Sequence, residues 1–189
     1  QETVLRYAYF QHANLKGAEF RDADMNSVWL EFADLTNADL SNANLYDAIM
    51  LAADLTNADL DGALLNFATL GSADLTGATL RNANLYLAQL YGADLTNANL
   101  RWADLTNADL YNTDLIDADL YGADLTDADL GVADLTGATL AYADLTGATL
   151  AYADLTDADL YGADLTYADM GTAYLARREL LAIAPTGSG

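Results

Sequence analysis

The 189-residue chain carries 7 Lys and Arg against 29 Asp and Glu, a formal net charge of −22 at pH 7 that repels nucleic acid and anionic lipid. Its 53% hydrophobic content is too high for a disordered acidic tail, and the absence of Cys excludes a disulfide framework, a thiolate nucleophile and a Cys-ligated metal. No apolar run approaches the roughly 18 residues of a membrane span.

The amino terminus begins with QETVLRYAYF, which lacks the basic and apolar regions of a signal peptide. We therefore expect no membrane insertion. Because a leader removed before Gln1 would leave no trace, the compartment stays open between cytoplasm and, after such removal, periplasm.

A five-residue period begins at once and continues almost to the end. Every fifth position from Leu5 to Leu180 makes 36 sites, of which 31 are Leu and the rest Phe or Met. Two residues earlier, from Ala8 to Ala173, 32 of 34 sites are Ala, the exceptions being Val28 and Thr113. A helix would scatter this period around its axis, whereas an extended segment places Ala and Leu on one face. The period predicts a short strand and a bend in every phrase.

The second residue after the Leu supports this bend. Gly holds eight of these sites and Asn holds seven, and both types tolerate the positive φ of tight turns. A chain that bends alike at every phrase winds into a parallel β-solenoid. The period alone leaves the number of phrases per coil open.

Phrases such as ADLTN, ADLTG and ANLYD resemble the pentapeptide-repeat family, whose signature is A-(D/N)-L-x-x. The resemblance implies an all-β fold, a right-handed quadrilateral parallel β-helix with four phrases in each coil. About nine coils at about 4.8 Å each would make a rod about 40 Å long. We expect this β-helix over residues 1–175. Because the family includes thylakoid-lumen proteins, the resemblance adds the thylakoid lumen to the compartments that stay open.

The carboxyl terminus departs from the repeat. ARRELLAIAPTGSG predicts a short capping or dimerisation helix at 176–184, stopped by Pro185, and a disordered tail at 185–189.

Outward residues twenty positions apart should stack in columns. One of them, the acidic column, has seven carboxylates whose mutual repulsion should raise their pKa values. Its members are Asp34, Asp54, Asp74, Asp94, Asp114, Asp134 and Asp154. We expect a solubilising surface here; divalent-cation binding and a water-ordering face beside the neighbouring Thr residues are the alternatives.

A second set of outward residues is apolar, although Asp or Asn holds most of the outward positions between Ala and Leu. This apolar patch consists of Tyr9, Trp29, Phe32, Ile49 and Leu51. Outward apolar residues clustered on an acidic rod indicate a docking or dimer surface. The alternative is that they are isolated exposed residues or cover the uncapped first coil. The other outward aromatic residues, among them Trp102, Tyr121, Tyr142 and Tyr161, are expected to be scattered over solvated corners.

Catalytic chemistry finds no recognisable residues. His12 is the only His, no triad or phosphate loop is present, and a straight rod offers no cleft for its carboxylates. We therefore expect no enzyme activity, no cofactor and no metal site.

Three functions remain open. The first is a non-catalytic scaffold or protein-interaction rod with an unknown, basic protein partner and with homodimer or end-to-end association as options. The second, implied by the resemblance, is a DNA mimic that binds a type II topoisomerase such as gyrase. The third is a designed or consensus repeat without a native role, because decapeptides such as ADLTNADLSN and ADLTNADLYN are nearly identical.

Overall fold

The computed structural model describes residues 3–175, and these residues wind into a parallel β-helix. No continuous strand or helix forms among them. Each five-residue phrase instead contributes one bridge residue, from Val4 to Tyr174, followed after one residue by a two-residue turn. The predicted helix at 176–184 and tail at 185–189 lie outside the described residues.

Every bridge is parallel and joins residues twenty apart, as in Val4–Asp24, Asp94–Asp114 and Asp154–Tyr174. Twenty residues contain four phrases, so four bridge residues and four turns separate one coil from the next. The structure thus supplies the number of phrases per coil, which the period alone left open.

One phrase shows how the backbone is satisfied. The amides of Leu95 and Asn97 donate to Asp114 O and Ile116 O of the following coil, at 2.7 and 2.9 Å. Asn99 N donates to Ala78 O of the preceding coil at 2.9 Å, and Ala98 N closes the turn on Leu95 O at 2.9 Å. Four of every five amides therefore bond to backbone carbonyls.

The fifth amide explains the Asp in the repeat. Thr96 N, which has no carbonyl partner, donates to Asp94 Oδ1 at 2.9 Å. A side chain that accepts a bond from the amide two residues on stabilises the turn locally. Asp or Asn at the bridge position therefore stabilises the turn in addition to making the outer surface polar.

The second turn residue has positive φ in every phrase from Tyr7 to Tyr167. Gly and Asn fit this conformation easily, but bulky residues occur there too, including Phe32 (φ 59°), Trp102 (φ 60°) and Val132 (φ 62°). The pairing between coils therefore imposes one turn geometry on all residue types.

Leu and Ala fill the interior, as predicted. From Ala23 to Leu160 the inward residues form one continuous buried core, and the Leu side chains are 1% exposed or less. Val28 and Thr113, which replace Ala, are also fully buried. Thr113 Oγ1 donates to Leu110 O at 2.8 Å, so its hydroxyl keeps a partner. At about 1.5–3 kcal/mol for each buried Leu, this core is the main stabilising contribution.

Candidate interaction surfaces

The apolar patch forms on three successive coils. Tyr9 bridges Trp29, which in turn bridges Ile49, and the Tyr9 and Trp29 rings lie 5.4 Å apart. The exposed fractions are 72% for Tyr9, 36% for Trp29 and 58% for Phe32. Ile49 is half-buried, so the exposed surface is mainly aromatic.

The turn beside these bridge residues completes the patch. Phe32 stacks on His12 with ring centroids 5.0 Å apart and planes within 6°. Phe32 N donates to Leu51 O at 3.0 Å, which places Leu51 on the next coil at the same turn. Leu51 is half-buried. The five predicted residues therefore share one side of the rod, and His12 extends their surface.

A carboxylate lies between the two exposed rings in the sequence. Glu31 Oε2 is buried and has no hydrogen-bond partner among the described residues. An unsatisfied buried acceptor destabilises a fold by about 1–3 kcal/mol, and more when it is charged. Because this oxygen is buried, a donor from another molecule cannot reach it while the side chain keeps this position.

In the acidic column, each Asp from Asp34 to Asp154 bridges the next. The predicted rise in pKa is nevertheless wrong at Asp34 and Asp54, whose pKa values are lowered. The largest cause in both is the hydroxyl of the Thr two residues on, which donates to the Asp Oδ1 at 2.5 Å from Thr36 and 2.6 Å from Thr56. Local donors outweigh the repulsion between stacked carboxylates.

Asp114 behaves in the predicted direction. Its pKa is raised by desolvation first and then by Asp94 and Asp134. The residue two positions on is Ile116, which has no hydroxyl to donate. Asp114 therefore lacks the hydroxyl bond that lowers the pKa values of Asp34 and Asp54.

We expect Ile116→Thr to lower the pKa of Asp114 and to raise the stability of the rod at neutral pH. A raised carboxyl pKa opposes folding above that pKa, so the gain over wild type should appear as pH rises through the acid range and shrink below the unfolded pKa of about 3.9. Carboxyl NMR titration and urea unfolding between pH 3 and 7 measure both effects. The reciprocal change Thr56→Ile should raise the pKa of Asp54; a gain that is independent of pH would contradict this explanation.

The side chains of residues 3–175 bring no three His, Cys, Asp or Glu together in an arrangement that could hold a metal ion. Nor does that part of the chain contain a helix long and apolar enough to cross a bilayer.

Aromatic residues that the sequence left scattered come together in ladders. Trp102, Tyr121, Tyr142 and Tyr161 follow one row of turns, with successive centroids 5.2, 5.4 and 5.5 Å apart. The expectation that these aromatics are scattered is wrong, because ring contacts form between the first turn residue of one coil and the second turn residue of the neighbouring coil. A strict twenty-residue column does not contain such pairs.

A shorter ladder joins Tyr46, Phe67 and Tyr86 on another row of turns, with centroids 5.3 and 5.8 Å apart. All three side chains are exposed, and the exposed Leu64 and Leu87 belong to the same side of the rod. Sequence reasoning missed this group for the same reason. The signal that could have found it is a spacing of 19 or 21 residues.

The fold and these surfaces define a parallel β-helical repeat protein with outward aromatic and acidic rows. The family model for pentapeptide repeats matches the sequence in eight copies, over residues 1–31, 30–62, 58–97, 93–131 and 133–174. The chain belongs to the pentapeptide repeat family.

Solved structures agree with this assignment. HetL, a pentapeptide repeat protein involved in heterocyst differentiation regulation from the cyanobacterium Nostoc sp. strain PCC 7120, is 34% identical with a TM-score of 0.79, covering 99% of this chain and 91% of HetL. A trypsin-treated variant of QnrB1, a plasmid-mediated fluoroquinolone resistance protein, is 22% identical with a TM-score of 0.54, covering 86% and 91%. These neighbours form right-handed β-helices, and the QnrB1 likeness concerns the fold alone. A comparison with curated proteins gives no match.

Proposed function

We propose that the chain is a non-catalytic rod of about nine β-helical coils that binds a partner protein through the apolar patch. The observation that carries this proposal is the exposure of Tyr9, Trp29 and Phe32 together on a surface that is otherwise strongly acidic. Exposed apolar groups rimmed by polar residues are typical of protein interfaces, and aromatic residues contribute much of the binding energy there.

The charge of the rod narrows the chemistry of the partner. A net charge of −22 steers basic surfaces toward it. We infer that the partner presents an apolar surface bordered by Lys or Arg. The likeness to HetL, which takes part in regulation, supports a role exercised by binding.

Affinity capture from the source cells tests this proposal. The intact rod and a rod with Tyr46→Ser and Phe67→Ser should retain the same protein, whereas Trp29→Ser combined with Phe32→Ser should lose it. Tyr46 and Phe67 are an exposed pair of rings outside the patch, so this double variant is a matched control for the loss of two aromatic side chains. Equal retention by all three rods, or retention of nothing by the intact rod, would overturn the proposal.

DNA mimicry is a second candidate, favoured by the axial charge density. A net charge of −22 over about 40 Å is about 0.55 charge per Å, close to the one charge per about 1.7 Å of the DNA duplex. A gyrase supercoiling assay with micromolar rod discriminates between the two candidates. Inhibition or protection from a quinolone would favour mimicry, and an unchanged reaction would remove it.

A further inference from the structure

One stretch of ten residues occurs twice on the rod. DADLYGADLT fills residues 117–126 and again residues 157–166, two coils later. The first copy binds a guanidinium of the chain itself, because Arg101 Cζ lies 4.3 Å from the centroid of the Tyr121 ring and Arg101 Nη1 donates to Asp119 Oδ2 at 3.1 Å. We call Arg101, Asp119 and Tyr121 the first subsite. A ring and a carboxylate side by side thus hold an arginine in this fold.

The second copy has the same local geometry as the first. Tyr121 N donates to Asp119 Oδ1 at 3.1 Å, and Tyr161 N donates to Asp159 Oδ1 at 3.0 Å. In each copy the Tyr ring lies edge to face against an aromatic ring of the preceding coil, at centroid distances of 5.2 and 5.5 Å. A Cβ on the Gly of either copy would overlap that preceding ring. The ring and the carboxylate are therefore positioned alike in both copies.

The two copies differ in the residue eighteen positions before the Asp. Arg101 precedes Asp119 by this spacing, and all four ion pairs in residues 3–175 join a cation to the Asp eighteen residues on. The residue that precedes Asp159 by eighteen is Ala141, which is 5% exposed and supplies no charge. We call Ala141, Asp159 and Tyr161 the second subsite. It has the acceptor and the ring of the first subsite without the cation.

The second subsite is accessible. Tyr161 is 59% exposed and Asp159 is exposed, whereas both Asp119 and Tyr121 are half-buried. Asp159 forms no ion pair among residues 3–175. A cation from another molecule can therefore reach the ring and the carboxylate together.

Further carboxylates restrict the chemistry of that molecule. The bridge column on the other side of this row of turns contributes Asp124, Asp144 and Asp164, all of them exposed. The sequence has no Lys or Arg between Arg101 and Arg177, so these charges have no nearby cation in the repeat. Carboxylates on both sides of a row of rings attract a cation and repel an anion. They would also repel the α-carboxylate of free arginine, which favours an arginine within a polypeptide.

We propose that the second subsite binds an arginine side chain of a partner protein. The guanidinium stacks on Tyr161 and pairs with Asp159, as that of Arg101 does in the first subsite. A planar guanidinium stacks on a ring and donates two parallel bonds to a carboxylate, whereas a Lys ammonium acts as a point charge. The proposal is independent of the apolar patch, which lies on earlier coils and at a different row of turns.

An NMR titration of the isotope-labelled rod with the blocked peptide acetyl-Gly-Arg-Gly-amide tests this proposal. Salt at about 0.15 M reduces the Debye length to about 8 Å, which screens the general attraction of the acidic rod. We expect saturable amide shifts at residues 157–162 and none at residues 117–122. The equivalent Lys peptide and free arginine should each bind several-fold more weakly.

Exchanging the residues that distinguish the two subsites gives the sharpest result. Ala141→Arg supplies the cation within the chain and should weaken peptide binding at residues 157–162 about fivefold or more. Arg101→Ala removes the cation from the first subsite and should create a second set of saturable shifts at Asp119 and Tyr121.

Ala151→Arg is the matched control for the added charge. Ala151 is also the first residue of its turn, and Asp169 follows it by eighteen residues, but Gly171 stands where the second subsite has Tyr161. The variant therefore adds the same charge at a corner without a ring. It should leave peptide binding at residues 157–162 unchanged.

Asp159→Asn tests the carboxylate and should weaken peptide binding about fivefold. Asn still accepts the turn bond, as Asn99 does from Arg101 N at 3.2 Å. Asp129→Asn is its control, since Asp129 accepts the same bond from Gly131 N and lies two phrases from the subsite, on the opposite side of the coil. This control should bind the peptide like wild type.

Circular dichroism confirms folding of each variant, so that loss of binding is not mistaken for unfolding. The proposal is overturned by the absence of saturable shifts at residues 157–162, by equal weakening from Ala141→Arg and Ala151→Arg, or by equal shifts on every acidic row. Binding that appears only after Arg177→Ser and Arg178→Ser would also overturn it, because the occupant would then be the chain's own terminus.

Discussion

Leu95→Asp is expected to unfold the central coils of the rod. Leu95 is fully buried, so the change forfeits about 1.5–3 kcal/mol of apolar burial and places a carboxylate where no donor replaces water. An unpaired buried charge adds several kcal/mol to that loss. Domains of this size are stable by only about 5–15 kcal/mol, so we expect loss of the cooperative thermal transition seen by circular dichroism.

The matched control for this change is the next residue along the chain. Thr96 lies at the turn, half-buried, and Thr96→Ser keeps both the amide bond to Asp94 and a hydroxyl. Its melting temperature should stay close to wild type. If Thr96→Ser and Leu95→Asp lose the same stability, the Leu interior is not what holds the coils together.

Ala68→Leu is expected to destabilise the rod by overpacking. Ala68 is fully buried at the smaller of the two inward positions. Val28 and Thr113 show that a β-branched side chain fits there, but Leu reaches further into a core already filled by Leu on every coil. Extra methylene groups in a packed core cost about 1–3 kcal/mol, and more where the backbone cannot yield. Urea unfolding measures this loss.

Thr69→Leu provides the comparison, because it introduces the same side chain one residue later on the outside. Thr69 bridges Ile49, so an apolar residue already occupies the neighbouring site of that column. We expect a change in the free energy of unfolding within about 0.5 kcal/mol of wild type. A larger loss for Thr69→Leu than for Ala68→Leu would contradict the assignment of inward and outward positions.

Much of the fold follows from the sequence because one rule recurs in every phrase. The positions of Leu and Ala predict the interior, and Gly and Asn predict the turns. The twenty-residue coil came from the family resemblance, since a period of five is compatible with several numbers of phrases per coil. The bridges between residues such as Asp94 and Asp114 supply that number independently.

The surfaces were less predictable, for geometric reasons. Members of one column lie twenty residues apart, so Tyr9, Trp29 and Ile49 could be found by counting. At the turns, side chains also contact the other turn position of the neighbouring coil. Trp102 therefore contacts Tyr121, nineteen residues later, and Tyr121 contacts Tyr142, twenty-one residues later. The four ion pairs among residues 3–175 join residues eighteen positions apart, as in Arg101–Asp119. Counting by twenty misses all of these contacts.

The predicted rise in carboxylate pKa was wrong at Asp34 and Asp54 because it also relied on residue spacing. Repulsion within the acidic column was inferred from spacing alone, whereas the local donors of the turn decide the pKa of Asp34 and Asp54. Asp114 shows what remains when the hydroxyl is missing. At Asp34 and Asp54, the hydroxyl two positions on therefore has a larger effect on the pKa than the carboxylate on the next coil.

Every coil contains four turns of the same backbone geometry, so each five-residue phrase carries the chain a quarter of the way around the axis of the rod. Deleting one five-residue phrase between Leu51 and Arg81 would keep Leu and Ala at the inward positions. It would move the ladder of Trp102, Tyr121, Tyr142 and Tyr161 by a quarter coil relative to the apolar patch. Deleting twenty residues would keep both on their present sides and shorten the rod by about 4.8 Å. Duplications and losses in units of twenty therefore preserve the angular arrangement of binding surfaces, while units of five rearrange it without disturbing the core.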